Sequence, residues 1–110
     1  MENTRQVELI IRQPGAQERR VLLPPGSVTL GRADDSDIVL PDAGVSRRHA
    51  RLHVDGPTVQ VEDLGSGNGT WFRGQRVVRQ ILGDGDEVLV DPFTLRIRLL
   101  PATAAAKGAG

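Results

Sequence analysis

Short runs in which apolar and polar residues alternate constrain this chain more than any other feature. Residues 50–54 and 59–62 alternate, and residues 94–99 do so most cleanly, with leucine and isoleucine on one side and arginine and threonine on the other. A period of two is typical of a strand with one buried face. Residues 7–12 add an apolar run rich in β-branched side chains, whereas no segment shows a sustained helical period.

Turn-forming residues separate these runs. Clusters of glycine, proline, serine, asparagine and aspartate lie at residues 24–26, 34–37, 55–57, 65–69 and 83–85. Short strands with turn signals about every eight to twelve residues are typical of an antiparallel sandwich or barrel. The sequence therefore predicts an all-β fold, with a further strand at residues 28–30 and room for one helical turn after Ser46.

The length and the ends of the chain predict one domain with two tails. A chain of 110 residues suits a single domain. Residues 101–110 are rich in alanine and glycine and predict a flexible linker to the rest of a larger protein. Residues 1–6 predict a disordered N-terminal tail, which leaves residues 7–100 as the domain.

Charge and composition limit the classes of partner that this chain is expected to bind. The 14 basic and 14 acidic residues give no net charge, so no global field attracts nucleic acid or anionic lipid. No apolar run approaches the roughly 20 residues of a membrane helix. Cysteine is absent, which agrees with a reducing compartment. These features predict a cytoplasmic domain that binds neither membrane nor nucleic acid.

Three polar clusters lie where predicted strands begin or end, at residues 31–32, 46–49 and 63–70. A sandwich can bring such loops together at one end. Arg32 carries a fork of donors that suits a doubly charged phosphate, and the hydroxyl of Ser46 can donate to a phosphate oxygen. Asn68 offers both a donor and an acceptor, as gripping a peptide backbone requires. The clusters therefore predict a phosphate pocket with a handle for the chain that carries the phosphate.

In their order and spacing these clusters resemble the motifs of the forkhead-associated (FHA) domain, a phosphothreonine-binding β-sandwich. The matching motifs are Gly31-Arg32, Ser46-x-x-His49, Asp63-Leu64-Gly65-Ser66-x-Asn68-Gly69-Thr70 and the later turn Gly83-Asp84-Gly85. The resemblance covers about residues 7–100. It implies a two-sheet antiparallel sandwich of about eleven short strands.

The resemblance also implies what such a domain does. We expect a monomeric signalling module that docks phosphothreonine on proteins phosphorylated by Ser/Thr kinases, either on a partner or on the same protein. It implies no catalytic step, no cofactor and no metal. The remaining alternative within the family is an FHA-fold scaffold that makes protein contacts independent of phosphate.

The roles of family residues carry over position by position. Arg32 and Ser46 match the phosphate-binding residues, and Asn68 matches the residue that bonds the ligand backbone. Arg47 and Gly67 are expected to add contacts to the phosphopeptide. The residues expected to support the site by shaping its loops are Gly31, His49, Asp63, Gly69 and Thr70.

Two positions depart from the family pattern. The hairpin after the third cluster has Arg73-Gly74 at its tip where relatives have Asn-Gly. Because arginine tolerates positive φ less well than asparagine, the sequence predicts a different type of turn there. Gly44, two residues before Ser46, has no side chain where some relatives read a ligand residue, so no charge preference is predicted.

Other interpretations of the same residues remain open at this stage. Arg32 could pair with Asp34 or Asp35, and Asn68 could serve only as a left-handed turn residue. Ser46, His49 and Asp63 have the residue types of a hydrolase triad, but the strand–elbow–helix context is missing. His49 and His53 lack a third zinc ligand. A nucleic-acid module is disfavoured because only 3% of the residues are aromatic.

Overall fold

The computed structural model describes residues 6–101, which form an all-β sandwich with no helix in that range. The strands are β1 (Gln6–Arg12), β2 (Arg19–Leu23), β3 (Gly26–Gly31), β4 (Ile38–Val39), β5 (Ala50–Asp55), β6 (Thr58–Asp63), β7 (Trp71–Phe72), β8 (Gln75–Arg76), β9 (Arg79–Leu82), β10 (Glu87–Val90) and β11 (Phe93–Leu100). The predicted sandwich of about eleven strands is confirmed.

The ends of the chain and one local prediction need separate mention. Residues 102–110 of the predicted linker and the first five residues of the predicted tail lie outside the described residues, and β1 begins at Gln6. The predicted helical turn after Ser46 is wrong, because bends lead from Ser46 into β5. Within residues 6–101 there is no helix long and apolar enough to cross a membrane.

The strands form two sheets whose order places the polar clusters together. One sheet has the order β2-β1-β11-β10-β7-β8 and the other β4-β3-β5-β6-β9. All pairs are antiparallel except β3 with the two-residue strand β4. In the second sheet Leu30 pairs with Ala50, which in turn pairs with Asp63. The end of β3, the start of β5 and the end of β6 therefore lie side by side.

The core lies between the sheets and fixes the register of the strands. In β11 Phe93, Leu95 and Ile97 are buried, whereas the side chains between them are partly exposed, as the alternation predicts. A slip of one residue would turn these buried side chains to solvent, at about 1.5–3 kcal/mol each. The core thus holds the strand ends, and the loops that follow them, in fixed positions.

Candidate functional site

Arg32 follows β3 and is fixed to the segment before β5. Its backbone N–H donates to the carbonyl of Ser46 at 3.0 Å, and its Nε donates to the carbonyl of Val45 at 3.0 Å. The side chain is exposed, and its two terminal nitrogens have no acceptor within residues 6–101. Asp35 pairs with Arg48 instead, at 3.1 Å. The forked end of Arg32 is therefore aimed at solvent and available to an anion.

Gly31 allows the backbone at the end of β3 to approach the backbone of Arg47 closely. A Cβ atom at Gly31 would overlap the carbonyl oxygen of Arg47 and lie 2.8 Å from its carbonyl carbon. Ala33, two residues further along, donates its N–H to that same carbonyl at 3.2 Å. Glycine is therefore required here by the packing of one loop against another.

His49 is fully buried and joins the second loop to the third. Its Nδ1 accepts the backbone N–H of Ser46 at 3.1 Å, and its Nε2 lies 2.9 Å from the carbonyl of Gly69. Because Nδ1 accepts and Nε2 faces a carbonyl, the geometry assigns the neutral ring with its proton on Nε2. The structural role expected of His49 agrees with these contacts.

The side chains of Ser46 and Asn68 each form a hydrogen bond between these two loops. The hydroxyl oxygen of Ser46 accepts the N–H of Gly67 at 3.0 Å, which leaves its own hydrogen for another acceptor. Asn68 donates from Nδ2 to the carbonyl of Gly44 at 2.8 Å. Arg73 is the one non-glycine residue with positive φ in the described chain, so Asn68 is not a left-handed turn residue.

Asp63 anchors the third loop through its carboxylate. The carboxylate accepts the N–H groups of Gly65 at 2.9 Å and Ser66 at 3.0 Å, as well as the hydroxyls of Ser66 and Thr70. Burial raises the pKa of Asp63, but the hydrogen bonds from Ser66, Thr70 and Gly65 together lower that pKa below its ordinary value. The side chain therefore stays ionised and holds both ends of the loop.

Two further side chains hold this loop and were missed in the sequence. Trp71 donates from Nε1 to the carbonyl of Asn68 at 2.9 Å, and Arg76 donates from Nη2 to the carbonyl of Ser66 at 2.8 Å. Both lie on the β7–β8 hairpin, where they pair across the two strands. Gly69, at φ 92°, packs beneath them, and a Cβ there would lie 2.7 Å from Nε of Arg76. The spacing of residues in the sequence gave no signal for the contacts of Trp71 and Arg76, because they depend on how the β7–β8 hairpin folds back onto the loop.

The remaining arrangements considered from the sequence are not supported by the geometry. His49 bonds to the backbone of Ser46 and Gly69 and not to the hydroxyl of Ser46 or the carboxylate of Asp63, so these residues do not form a triad. His53 bonds Ser27 and Glu62 on the outer face of the sheet. Residues 6–101 contain no group of three side chains placed to hold a metal ion.

Comparison with known proteins agrees with the motifs. The sequence model of the FHA domain family matches residues 28–90. The glycogen accumulation regulator GarA of Mycolicibacterium smegmatis is 40% identical over 87 residues, which are 79% of this chain and 55% of GarA. The chain thus spans about half the length of this curated relative. The resemblance inferred from the sequence is confirmed.

Two solved structures share the fold at similar identity. One, from a structural and functional study of phosphothreonine-dependent FHA domain interactions, has a TM-score of 0.78 at 34% identity and covers 87% of this chain and 98% of that one. The other is the FhaA FHA domain complexed with the intracellular domain of Rv3910. Its TM-score is 0.76 at 35% identity, over 84% of this chain and 99% of that one.

Proposed function

Because the chain belongs to the FHA domain family, we propose that Arg32, Ser46 and Asn68 bind phosphothreonine and dock proteins marked by Ser/Thr kinases. The observation that carries the proposal is the free forked end of Arg32, which is fixed by its own backbone and Nε to the segment that bears Ser46. A phosphate group carries about −1.5 to −2 charges, which matches a guanidinium fork and a hydroxyl donor.

The other site residues take two kinds of role in this proposal. Arg47 is exposed, with no side-chain partner in the described chain, and would add charge beside the phosphate. Gly67 donates to the hydroxyl oxygen of Ser46 and so directs the hydroxyl hydrogen towards the ligand. Gly31, His49, Asp63, Gly69 and Thr70 hold the loops and do not touch the ligand. No residue in this scheme performs chemistry, so the domain is a binding module that needs no cofactor.

We extend the proposal to the partner and its setting. The ligand is a phosphothreonine segment of another protein or of the same protein, and Asn68 grips the backbone of that segment. We also propose a monomeric domain within a longer protein, because the loops that carry Arg32, Ser46 and Asn68 bond one another within a single sandwich. The FhaA FHA domain is complexed with an intracellular domain, which supports action in the cytoplasm here as well.

Substitution of Arg32 tests the assignment. Arg32→Ala should abolish binding, because losing one partner of a desolvated charge pair costs about 2–5 kcal/mol of the roughly 8 kcal/mol in a micromolar complex. Stability should change by only about 0.5–1.5 kcal/mol, because the side chain is exposed and loses one hydrogen bond, from Nε to the carbonyl of Val45. Fluorescence anisotropy with a phosphothreonine peptide library, alongside thermal melts, measures both quantities.

Arg48→Ala is the matched control, because Arg48 is also exposed and already pairs with Asp35. It should bind within about threefold of wild type. An Arg32→Ala protein that stays folded and binds at wild-type strength would instead favour the phosphate-independent scaffold. Equal binding of the unphosphorylated library would do the same.

A further inference from the structure

A groove opens between the two sheets at their edge strands, well away from Arg32. It has a volume of about 280 Å³, and its apolar walls are Val21 and Leu23 of the first sheet and Val28 and Ile38 of the second. We call this cavity the edge groove. Ser27 and Asp37 line its rim. Arg32 lies five positions after Ser27 along the chain, which is about 16 Å of extended chain. The edge groove is therefore separate from the phosphate site.

The first half of β3 has a free hydrogen-bonding edge above this groove. β4 pairs only with Leu30 and Gly31, so within residues 6–101 no strand covers β3 before Leu30 on that side. The N–H of Thr29 points to that side, where it donates to Asp37 at 2.9 Å. Because backbone direction alternates along a strand, the N–H and C=O of Ser27 point the same way. An uncovered edge of this kind is a template for an added strand.

Asp37 gives the rim of the edge groove a negative charge. Its Oδ2 accepts from the N–H and the hydroxyl of Thr29, at 2.9 Å and 3.2 Å. No arginine, lysine or histidine of residues 6–101 forms an ion pair with it. The nearby Arg19 donates instead to the carbonyl of Val39, at 3.0 Å, and bridges the two sheets. The carboxylate is therefore free to attract a cation from outside the domain.

From these features we infer that the edge groove is a second docking surface, for an extended basic peptide segment of a partner protein. The volume is smaller than that of a drug-sized site and suits a single aliphatic side chain. The segment lies along β3, bonds the backbone of Ser27, inserts one leucine-like side chain between the sheets and places a lysine or arginine beside Asp37. This contact does not require phosphothreonine, so it is a function additional to the proposed one.

Nuclear magnetic resonance titration of the full chain tests this inference. The probe is the unphosphorylated peptide acetyl-Lys-Thr-Leu-Thr-Lys-amide, and its control replaces both lysines with glutamate. We expect the lysine peptide to shift the amide signals of Ser27 and Val28 and the methyl signals of Ile38, while those near Ser46 and Asn68 stay in place. Shifts confined to the phosphate site, or no shifts at millimolar peptide, would overturn the inference.

Three variants separate what the edge groove, the Asp37 carboxylate and the phosphate site each contribute to binding the lysine peptide. Val21→Trp fills the edge groove and should weaken peptide binding at least about tenfold, whereas Asp37→Asn should weaken it about two- to fivefold, as expected for an exposed ion pair. Arg32→Ala should leave it unchanged. If Val21→Trp does not fold, Ser27→Pro takes its place, because proline is tolerated at a free edge. It removes the N–H of residue 27 from that edge and should abolish peptide binding. If the folded Val21→Trp or Ser27→Pro protein binds the lysine peptide with wild-type affinity, the inference is contradicted.

Discussion

Gly31 decides how closely the strand that carries Arg32 approaches the loop that carries Ser46. A Cβ atom there would overlap the backbone of Arg47, and a backbone cannot move aside as a flexible side chain can. The separation of Arg32 and Ser46, the two side chains proposed to bind phosphate, thus depends on a residue that has no side chain.

Gly31→Ala should therefore lower stability and phosphopeptide binding together. Overpacking of this kind typically costs about 1–3 kcal/mol, and the displaced loop would separate Ser46 from Arg32. Gly83→Ala is the control, because its Cβ would meet nothing closer than the Asp86 carboxylate at 3.7 Å. Urea denaturation and anisotropy measure the two effects. Wild-type binding by Gly31→Ala would show that the close approach is dispensable.

The ionisation of Asp63 should make the free energy of unfolding depend on pH. Because its pKa in the folded protein lies below its ordinary value of 3.8, ionised Asp63 stabilises the fold above that value. This stabilisation should be lost as the pH falls from about 4 through the lowered folded pKa. Asp63→Asn should make the free energy of unfolding less sensitive to pH in that window.

The same substitution should also destabilise the loop at pH 7, by about 1–3 kcal/mol, because buried donors lose their acceptors. Asp55→Asn is the control, since Asp55 is exposed at the end of β5 and its side chain has no hydrogen bond in residues 6–101. Chemical denaturation at pH 7 and pH 3 gives both quantities. Identical pH slopes for wild type and Asp63→Asn would contradict the role of the carboxylate.

At the level of elements, the β7–β8 hairpin holds the loop that carries Asn68 through Trp71 and Arg76. Its tip was predicted wrongly: Arg73 and Gly74 have φ values of 52° and 81°, as a type I′ turn requires. The side chain of Arg73 lies over the ring of Phe72, 4.8 Å from its centroid, and 3.4 Å from Asp86. These contacts, together with the pairing of β7 with β8, hold Arg73 in a left-handed conformation that arginine does not favour.

Two substitutions at the tip separate backbone strain from these contacts. Arg73→Ala and Arg73→Asn both remove the contacts with Phe72 and Asp86, but only asparagine tolerates the left-handed conformation readily. Arg73→Asn should therefore be more stable than Arg73→Ala, by about 1 kcal/mol. Thermal melts of the two variants, interpreted against wild type, measure the difference. Equal melting temperatures would mean that the turn relaxes when the arginine side chain is removed.

The elements also show how far the sequence predicts the structure. Strands β5, β6 and β11 follow from their alternation, because each buries one face, and β1 follows from its apolar run rich in β-branched residues. The two-residue strands β4, β7 and β8 have too few residues to show a period. The contacts of Trp71 and Arg76 were missed for the same reason, since they depend on the placement of β7 and β8. The proposal of Arg32, Ser46 and Asn68 as the binding residues rests on residue chemistry and family motifs, not on spacing alone.

For the whole molecule, the network of the candidate site is continuous with the core. The loops that carry Arg32, Ser46 and Asn68 bond one another, and each leaves a strand whose inner face is buried. A loop system held in this way loses little freedom when a ligand binds, which favours affinity. The strands of the sandwich and the loops that join them therefore suffice to form the candidate site.

Truncation tests this view of the domain boundary. Removing residues 102–110, which we propose act as a linker, should change the melting temperature by no more than about 2 °C, because the core residues of the sandwich all remain. Phosphopeptide affinity should be unchanged. A chain that ends after Ile97 is the control, because residues 98–100 pair with β1 and Leu99 packs against the core. That shorter chain should melt several degrees lower, by roughly 4–8 °C for each kcal/mol lost. A comparable loss on removing only residues 102–110 would show that those residues belong to the folded domain.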